Sequence, residues 1–402
     1  MTNKTVMIMA GGTGGHVFPA LAVADALAAK GYSIHWLGTA AGIEADVIPK
    51  AGYPLHCIQV TGLRGKGKLA LLAAPFKILK AIYQAWRFMK VIQADAVLGL
   101  GGFATGPGGV AAKLMGIPLL IHEQNAFPGM TNRLLKPMSN VVMQAFANTF
   151  KGNHKKEIAA GTFLTTGNPV RANIVELKNN SNKIKSAHVN LEKTVEATAA
   201  KTEEKTADFT KEKLNVLVVG GSLGAIGINN AVIDALALVQ EKETTNKAKY
   251  SLPNLWHQVG KKNIEQVQQL YASKGLSDKA KVVAFIDDMA AAYEWADLVI
   301  CRSGALTVSE LACAGKASIL IPFPHAADDH QTANAQTLVD AGGAELKQQS
   351  ELTGEWLAQR WQHYVDNPQH IKTMSLAASS ASITNATDVV AEQVIKQIRL
   401  ND

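Results

Sequence analysis

Cysteine is nearly absent. Only Cys57, Cys301 and Cys313 occur in 402 residues, an odd and sparse count without metal-ligand spacing, which excludes a disulfide scaffold and points to the reducing cytoplasm. No window supplies the roughly 20 apolar residues of a spanning helix. The amino terminus lacks the apolar core and cleavage site of a signal peptide and runs directly into a strand. No Gly-Lys-Ser/Thr follows any glycine loop, which excludes a P-loop. No persuasive Asp-x-Asp cation site is present. Acidic residues are outnumbered 33 to 40 by Lys and Arg, giving a net charge of +7. That excess favours an anionic partner: a nucleotide, a nucleic acid or an anionic membrane.

What is present is glycine next to apolar strands. At 402 residues with 47% hydrophobic content, the chain is too long for one typical core and reads as two globular domains. Val6-Met-Ile-Met-Ala10 is a buried-strand pattern, followed by Gly11-Gly-Thr-Gly-Gly15, His16 and an amphipathic run through Ala29. This is the first strand–loop–helix unit of a doubly wound α/β sheet. The spacing is not G-x-G-x-x-G, and no acidic residue ends the second strand, Ser33–Leu37, so a nicotinamide cofactor is disfavoured. The glycines let a ligand approach the main chain closely. His16, at the loop–helix junction, is either structural or placed as a general base or phosphate ligand. Gly101 to Gly109 repeats the strand-then-glycine logic after Ala96–Leu100. Ile117–Ile121 leads into His122-Glu-Gln-Asn125, where Glu123 is either a base or a helix cap or loop ligand. These three strand ends are expected to converge at the binding edge of a parallel sheet.

The stretch 63–90 joins Lys77, Lys80, Arg87 and Lys90 to Phe76, Ile78, Leu79, Trp86 and Phe88. It reads equally as a membrane-surface helix or as a core helix with snorkelling lysines. Thr166 to Arg171 has the turn residues of an interdomain link. Residues 177–212 are rich in Lys, Glu, Thr, Ala and Asn, so they form a solvated helix or a disordered insertion. Leu214–Val219 and Gly220-Gly-Ser-Leu-Gly224 then repeat the opening pattern. Ile286-Asp-Asp-Met289 is a helix cap or, less favoured, a metal site. Asp297–Ile300 is a strand that breaks at Ser303-Gly304 and continues as a helix from Ala305 to Gly315. A helix start behind a tight glycine turn is an ordinary βα unit or an anion site, with Thr307 in the first turn and Glu310 placed for a sugar diol. His330, Gln331 and Asn334 follow the strand Ile319–Pro324 and suit a sugar. The boundaries expected are 1–166, a link and polar insertion over 167–213, a second domain over 214–374, and a closing helix over 375–402.

Gly11-Gly-Thr-Gly-Gly-His16, Gly101-Gly-Phe, His122-Glu-Gln-Asn125, Gly167-Asn-Pro-Val-Arg171, Gly220-Gly-Ser222 and Arg302-Ser-Gly-Ala-Leu-Thr-Val-Ser-Glu310 occur in order. Together they resemble the MurG family, the N-acetylglucosaminyltransferases of bacterial peptidoglycan synthesis. The resemblance spans nearly the whole chain outside the polar insertion. It implies the GT-B fold, two Rossmann-like α/β domains facing across a cleft. It implies inverting transfer of GlcNAc from UDP-GlcNAc to the C4 hydroxyl of MurNAc in undecaprenyl-pyrophosphoryl-MurNAc-pentapeptide, converting lipid I to lipid II.

Carried over by position, Thr13, Gly14, Gly15, Asn125, Arg171, Ser222 and Ile286 match donor contacts. Ala305, Leu306, Thr307, Val308, Ser309 and Glu310 match the nucleotide site, with Glu310 on the ribose. Gln331 matches a contact to the GlcNAc hydroxyls. His16 is the first candidate for the base and Glu123 the second. The implied partners are UDP-GlcNAc, lipid I and an anionic inner-leaflet surface met through 63–90, with no nucleic acid. The implied location is peripheral, on the cytoplasmic face of the inner membrane. No cofactor is implied; a divalent cation that stimulates activity would have no assigned site. Another GT-B enzyme, such as a UDP-GlcNAc epimerase or a glycolipid glycosyltransferase, is the alternative, and a non-catalytic nucleotide-sugar binder the third reading.

Overall fold

Continuous runs of Val, Ile, Leu and Met, without polar alternation, suit strands covered on both faces, and such strands assemble into parallel sheets. The computed structural model describes residues 4–60, 73–178, 213–221, 224–245, 251–324 and 329–401. They form two units, one holding the chain up to Arg171 together with Ile383 onward, the other Ala172–Ser382.

In the first unit, β1 (Thr5–Ala10), β2 (Ser33–Gly38), β3 (Leu55–Cys57), β4 (Ala96–Gly101), β5 (Leu119–Glu123), β6 (Val141–Gln144) and β7 (Phe163–Thr165) make one sheet in the order β3-β2-β1-β4-β5-β6-β7. The strands pair in parallel, with Val6 opposite both Ile34 and Ala96. β1 is buried at all six residues. Helix Gly14–Ala29 covers one face through Val17, Ala20, Val23, Ala24 and Leu27. Helix Ala74–Ile92 covers the other through Ala81, Ala85 and Met89, four residues apart on one stripe.

In the second unit, β8 (Asn215–Val219), β9 (Asn254–Gln258), β10 (Ala280–Val283), β11 (Leu298–Cys301), β12 (Ala317–Leu320) and β13 (Ala344–Leu346) are ordered β10-β9-β8-β11-β12-β13. Helices Ile226–Thr244 and Gly354–Asp366 pack on this sheet, placing Ile228, Val232, Leu236, Leu357 and Trp361 in its core. Helix Ala305–Ala314 ends at Gly315, whose φ of 61° is the left-handed cap that glycine adopts without strain.

Several strands differ from the reading of the sequence. β10 lies two residues before Val282–Phe285, and β5 extends through His122 and Glu123. β3, β6, β7 and β13 carry three or four residues each and were not separable from loops by pattern. The segment 375–402 is not one closing helix. Pro368–Ser380 belongs to the second unit, whereas Ala386–Asn401 returns to the first. There Val390, Ala391, Val394 and Ile398 join the core beside Val17 and Ala24. Of the polar insertion, residues 172–178 are helical and 179–212 lie outside the described residues, as does 61–72.

The returning helix is integral to the first unit. Ile398, 2% exposed, makes a direct test: Ile398→Ala should cost ~2–5 kcal/mol through lost burial and the cavity left behind. Chemical denaturation should show the loss in the transition of the first unit, with the second unit's transition unmoved.

Candidate active site

In both sheets the strand order reverses beside the first strand, between β1 and β4 and between β8 and β11. At such a switch point the two following loops part to opposite faces and leave a crevice at the carboxyl ends of the strands. The glycine-rich segments stand there: Gly11–Gly15 after β1 and Gly101–Gly102 after β4, Gly220 and Gly221 after β8 and Ser303–Gly304 after β11.

In the first unit the two loops touch through main chain. A Cβ on Gly102 would lie 2.5 Å from the carbonyl oxygen of Gly11, and the residue has φ 91°. Only glycine fits. A Cβ on Gly101 would lie 2.8 Å from Cδ2 and 2.9 Å from Nε2 of His16, so the imidazole lies against this loop. His16 Nδ1 is 3.5 Å from Thr13 Oγ1. Thr13 is the N-cap of helix Gly14–Ala29 and makes no side-chain cap bond. The amides of Gly14 and Gly15 therefore begin a helix at the switch point. Beneath the loop, fully buried Glu44 accepts from Gly12 N at 2.9 Å and from Thr39 N and Oγ1 at 3.0 and 2.8 Å.

The adjoining strand end, β5, is a polar assembly. Glu123 is 2% exposed. Its Oε1 accepts from Asn125 N at 3.0 Å and Asn125 Nδ2 at 3.1 Å. Its Oε2 accepts from Gly129 N at 3.0 Å and Asn132 Nδ2 at 2.9 Å. Both oxygens are engaged in holding the loop 123–132, the arrangement of a loop ligand. Asn125 is thereby fixed at the strand end. His122 lies deeper, with Nε2 3.0 Å from the Gly167 carbonyl and Nδ1 3.2 Å from Gln124 Nε2. The carbonyl requires the proton on Nε2, so Nδ1 accepts from Gln124. Burial pushes the His122 pKa down to about 4, against smaller upward pulls from the Gly167 hydrogen bond and Glu123. Asn168 Nδ2 donates to the Gln124 carbonyl at 3.0 Å, tying the 166–168 turn to the same strand end. Half-buried Arg171 closes this segment at the last residue before the second unit.

In the second unit Gly304 is the N-cap of helix Ala305–Ala314, with extended φ −61°, ψ 143° and no side-chain cap bond. The first turn, Ala305, Leu306 and Thr307, presents main-chain N–H groups at the switch point, the arrangement that favours an anion. Val308 is buried, and Ser309 Oγ turns back to the Ala305 carbonyl at 3.0 Å, so these two side chains serve the helix. Glu310 is 4% exposed and accepts from Tyr293 OH at 3.2 Å. Cys301 is no nucleophile: burial first, and the Glu310 charge second, push its thiol up to about 12.

Ile286 is buried in the loop after β10. Next to it, Asp288 Oδ1 accepts from Ala291 N at 3.0 Å, the helix-cap alternative for that acidic pair. Among the described residues no group of His, Cys, Asp and Glu is arranged to hold a metal ion. Gln331 Oε1 accepts from Phe323 N at 2.9 Å, fixing the segment that follows β12. Ser222 lies outside the described residues.

Sequence comparison gives this geometry a family. The glycosyltransferase family 28 N-terminal domain matches residues 6–144, and the glycosyltransferase family 28 C-terminal domain matches residues 215–393. The chain belongs to glycosyltransferase family 28. Among family 28 relatives, a protein of Shewanella frigidimarina is 46% identical over 97% of this chain and 96% of its own length. It is named UDP-N-acetylglucosamine--N-acetylmuramyl-(pentapeptide) pyrophosphoryl-undecaprenol N-acetylglucosamine transferase. One from Aeromonas hydrophila carries the same name at 46% identity, over 97% of this chain and 96% of its own. The crystal structure of Acinetobacter baumannii MurG superposes with TM-score 0.74 at 39% identity, covering 98% of this chain and 99% of that one. UDP-GlcNAc 2-epimerase from Neisseria meningitidis, at 13% identity and TM-score 0.61, shares the fold alone.

Family 28 membership accounts for the two Rossmann-like sheets, the GT-B plan. Glu44, Thr39 and Gln258 were not singled out from the sequence, and Arg302 was marked only as part of its motif. The Arg302 guanidinium spans the Ile321 and Pro322 carbonyls at 3.2 and 3.0 Å and reaches Gln349. It braces the loop that precedes Gly304. For Glu44 a signal existed, since glycines at 38 and 42 closely precede it; for Gln258 none did.

The buried imidazole gives a pH test. His122 is neutral in the folded state, whereas the unfolded chain takes up its proton near pH 6.5. Stability should therefore fall as pH drops from about 6.5 to about 4. The His122 share should be on the order of 3 kcal/mol. His122→Gln should be less stable at pH 7 but flatter across that interval, read from denaturation midpoints of the first unit. An unchanged slope would show that His122 does not control it.

Proposed function

We propose that this chain moves N-acetylglucosamine from UDP-GlcNAc to the C4 hydroxyl of MurNAc in undecaprenyl-pyrophosphoryl-MurNAc-pentapeptide, with inversion. The observation that carries the reading is the end-to-end match to relatives named for that donor and acceptor. The acceptor oxygen attacks the anomeric carbon in line, its bond to the departing UDP breaks, and the hydroxyl proton passes to a base. His16 is that base, because its ring lies at the crevice edge of the first unit while both Glu123 oxygens are taken up by the loop. The leaving diphosphate gathers charge as it departs. Main-chain amides at Ala305, Leu306 and Thr307 receive it, with Arg171 and the Ser222 loop assisting.

Thr13, Gly14, Gly15 and Asn125 approach the donor from the first unit. Ile286 contacts the donor, Glu310 takes the ribose hydroxyls and Gln331 the GlcNAc hydroxyls. The chain's own groups provide positioning and charge stabilisation; no cation site is assigned.

A second observation supports the reading that the protein attaches peripherally to the cytoplasmic face of the inner membrane. No helix of the described residues is long and apolar enough to cross a membrane. Helix Ala74–Ile92 nevertheless leaves Phe76 77% and Leu79 63% exposed beside Lys77 and Lys80. Its inward stripe is Ala81, Ala85 and Met89, and Ile82, Trp86 and Phe88 pack half-buried against the same core, which leaves Phe76, Ile78, Leu79 and Tyr83 as the exposed apolar side chains of the first three turns. Apolar side chains interleaved with cations suit an anionic bilayer surface.

Incubation with UDP-GlcNAc and a lipid I analogue should yield the lipid-linked disaccharide and UDP. Free epimerised sugar would instead favour an epimerase, and binding without turnover a non-catalytic role. In the same assay Glu310→Ala should weaken donor binding by about 10- to 100-fold, the loss of hydrogen bonds to a charged group. Unchanged donor affinity by calorimetry would remove Glu310 from the ribose. Replacing Phe76, Leu79 and Tyr83 together by Ser should lower the fraction sedimenting with phosphatidylglycerol vesicles by about tenfold, with solution turnover of a water-soluble acceptor retained.

A further inference from the structure

The two glycine loops are clamped in the same way by different chemistry. Gly12, φ 87°, donates its N–H to Glu44 Oε2 at 2.9 Å. Gly221, φ 75°, donates its N–H to Gln258 Oε1 at 3.0 Å. Each is the second glycine after the first strand of its sheet. Each clamping side chain lies at or after the end of the neighbouring strand on the same side: Glu44 opens the helix Glu44–Lys50 that follows β2, and Gln258 ends β9.

Glu44 is the more costly of the two. It is 0% exposed, and its three hydrogen-bond partners, Gly12 N, Thr39 N and Thr39 Oγ1, are uncharged. A buried carboxylate held only by neutral donors is retained against a desolvation penalty. The surrounding chain is built to admit it. A Cβ would fall 1.9 Å from its Oε2 at Gly42, 2.5 Å from its Oε1 at Gly11 and 2.8 Å from its Cγ at Gly38.

We propose that Glu44 is a positioning residue for sugar transfer. Its carboxylate fixes Gly12 in the left-handed conformation, and the next residue, Thr13, is then the N-cap whose carbonyl accepts the His16 and Val17 amides at 3.2 Å. The carboxylate thus sets the direction of the Gly14 and Gly15 amides and the placement of His16 against Gly101. Gln258 does the same for the nucleotide-side loop, where its amide also donates to the Gly221 and Ala284 carbonyls at 3.1 and 3.0 Å. A Gln at position 44 would turn an NH2 group toward an N–H donor, so shape is kept while one bond becomes a repulsion. The inference rests on the transferase reading for its kinetic arm only.

Two variants separate the carboxylate's chemistry from its bulk. Glu44→Gln changes one oxygen; Gly42→Ala keeps the carboxylate but displaces it. Both should lower kcat with the lipid I analogue at least about tenfold, as a small misplacement of reacting groups does. Calorimetric UDP affinity should stay within about twofold of wild type. Hydrogen exchange of the 11–16 amides should quicken while the β1 and β4 amides keep their protection. Gln258→Ala should show the converse, UDP affinity weakened about tenfold with exchange at 11–16 unmoved. Wild-type turnover in Glu44→Gln, or unchanged exchange at 11–16, would overturn the proposal. Faster exchange across the whole first unit would also overturn it, since Glu44 would then be a general stabiliser. If the wild type itself fails to turn over the lipid I analogue, the transferase reading fails, and the exchange arm still decides whether Glu44 holds the loop.

Discussion

Main chain against main chain is the constraint from which the rest of the first unit follows. Where β1 and β4 diverge, the loops at Gly11 and Gly102 come so close that no side-chain carbon fits between them. That closeness forces glycine at the crossing and brings a histidine ring against the bare Cα of Gly101. It also leaves the start of helix Gly14–Ala29 facing the crevice without a capping side chain. A methyl group would push the loops apart and displace the His16 ring from its seat against Gly101.

Charge is distributed in a corresponding way. The excess of Lys and Arg is carried largely on solvent-facing positions, including those of helix Ala74–Ile92. The buried ionisable groups at the strand ends serve as fixed acceptors. Glu44 and Glu123 each gather amides from two or more segments and so convert glycine-rich loops into defined shapes. Buried His122 and His257, both with strongly depressed pKa values, act as neutral hydrogen-bonding links instead of charges. His257 joins Tyr271 OH at 2.8 Å to Asn229 Oδ1 at 3.1 Å in the second unit. A loop that must be open to a ligand on one side has to be held from the other, and these residues hold it.

The parts legible in the sequence were those with a local cause. Apolar runs followed by glycines marked β1, β4, β8 and β11, because a strand covered on both faces and a tight exit each restrict residue type. The two-unit plan followed from the repeat of that pattern at Leu214–Gly224. Short edge elements such as β3 and β7 carry no such run and owe their form to their neighbours in the sheet. The residues under the loops were hidden for the same reason. Gln258 ends a strand like any other glutamine, and only pairing with β8 brings it beneath Gly221. Glu123 could be read as base or loop ligand until the positions of Gly129 and Asn132 were known. The amphipathic pattern of 63–90 left its orientation open, and packing decided which side chains point outward.

The route of the polypeptide has a consequence for biosynthesis. The chain leaves the first unit after Arg171 and returns to it at Ile383, and Val390, Val394 and Ile398 then complete a core begun by β1. The half translated first is thus the half finished last. While the ribosome is still making the second unit, the earlier sheet lacks its final helix and keeps an apolar strip uncovered. The inserted unit has all its strands before the terminus emerges and can fold ahead of its host. A stalled or clipped nascent chain would therefore carry a second unit that is whole and a first unit that is not, a product suited to recognition by chaperones and proteases.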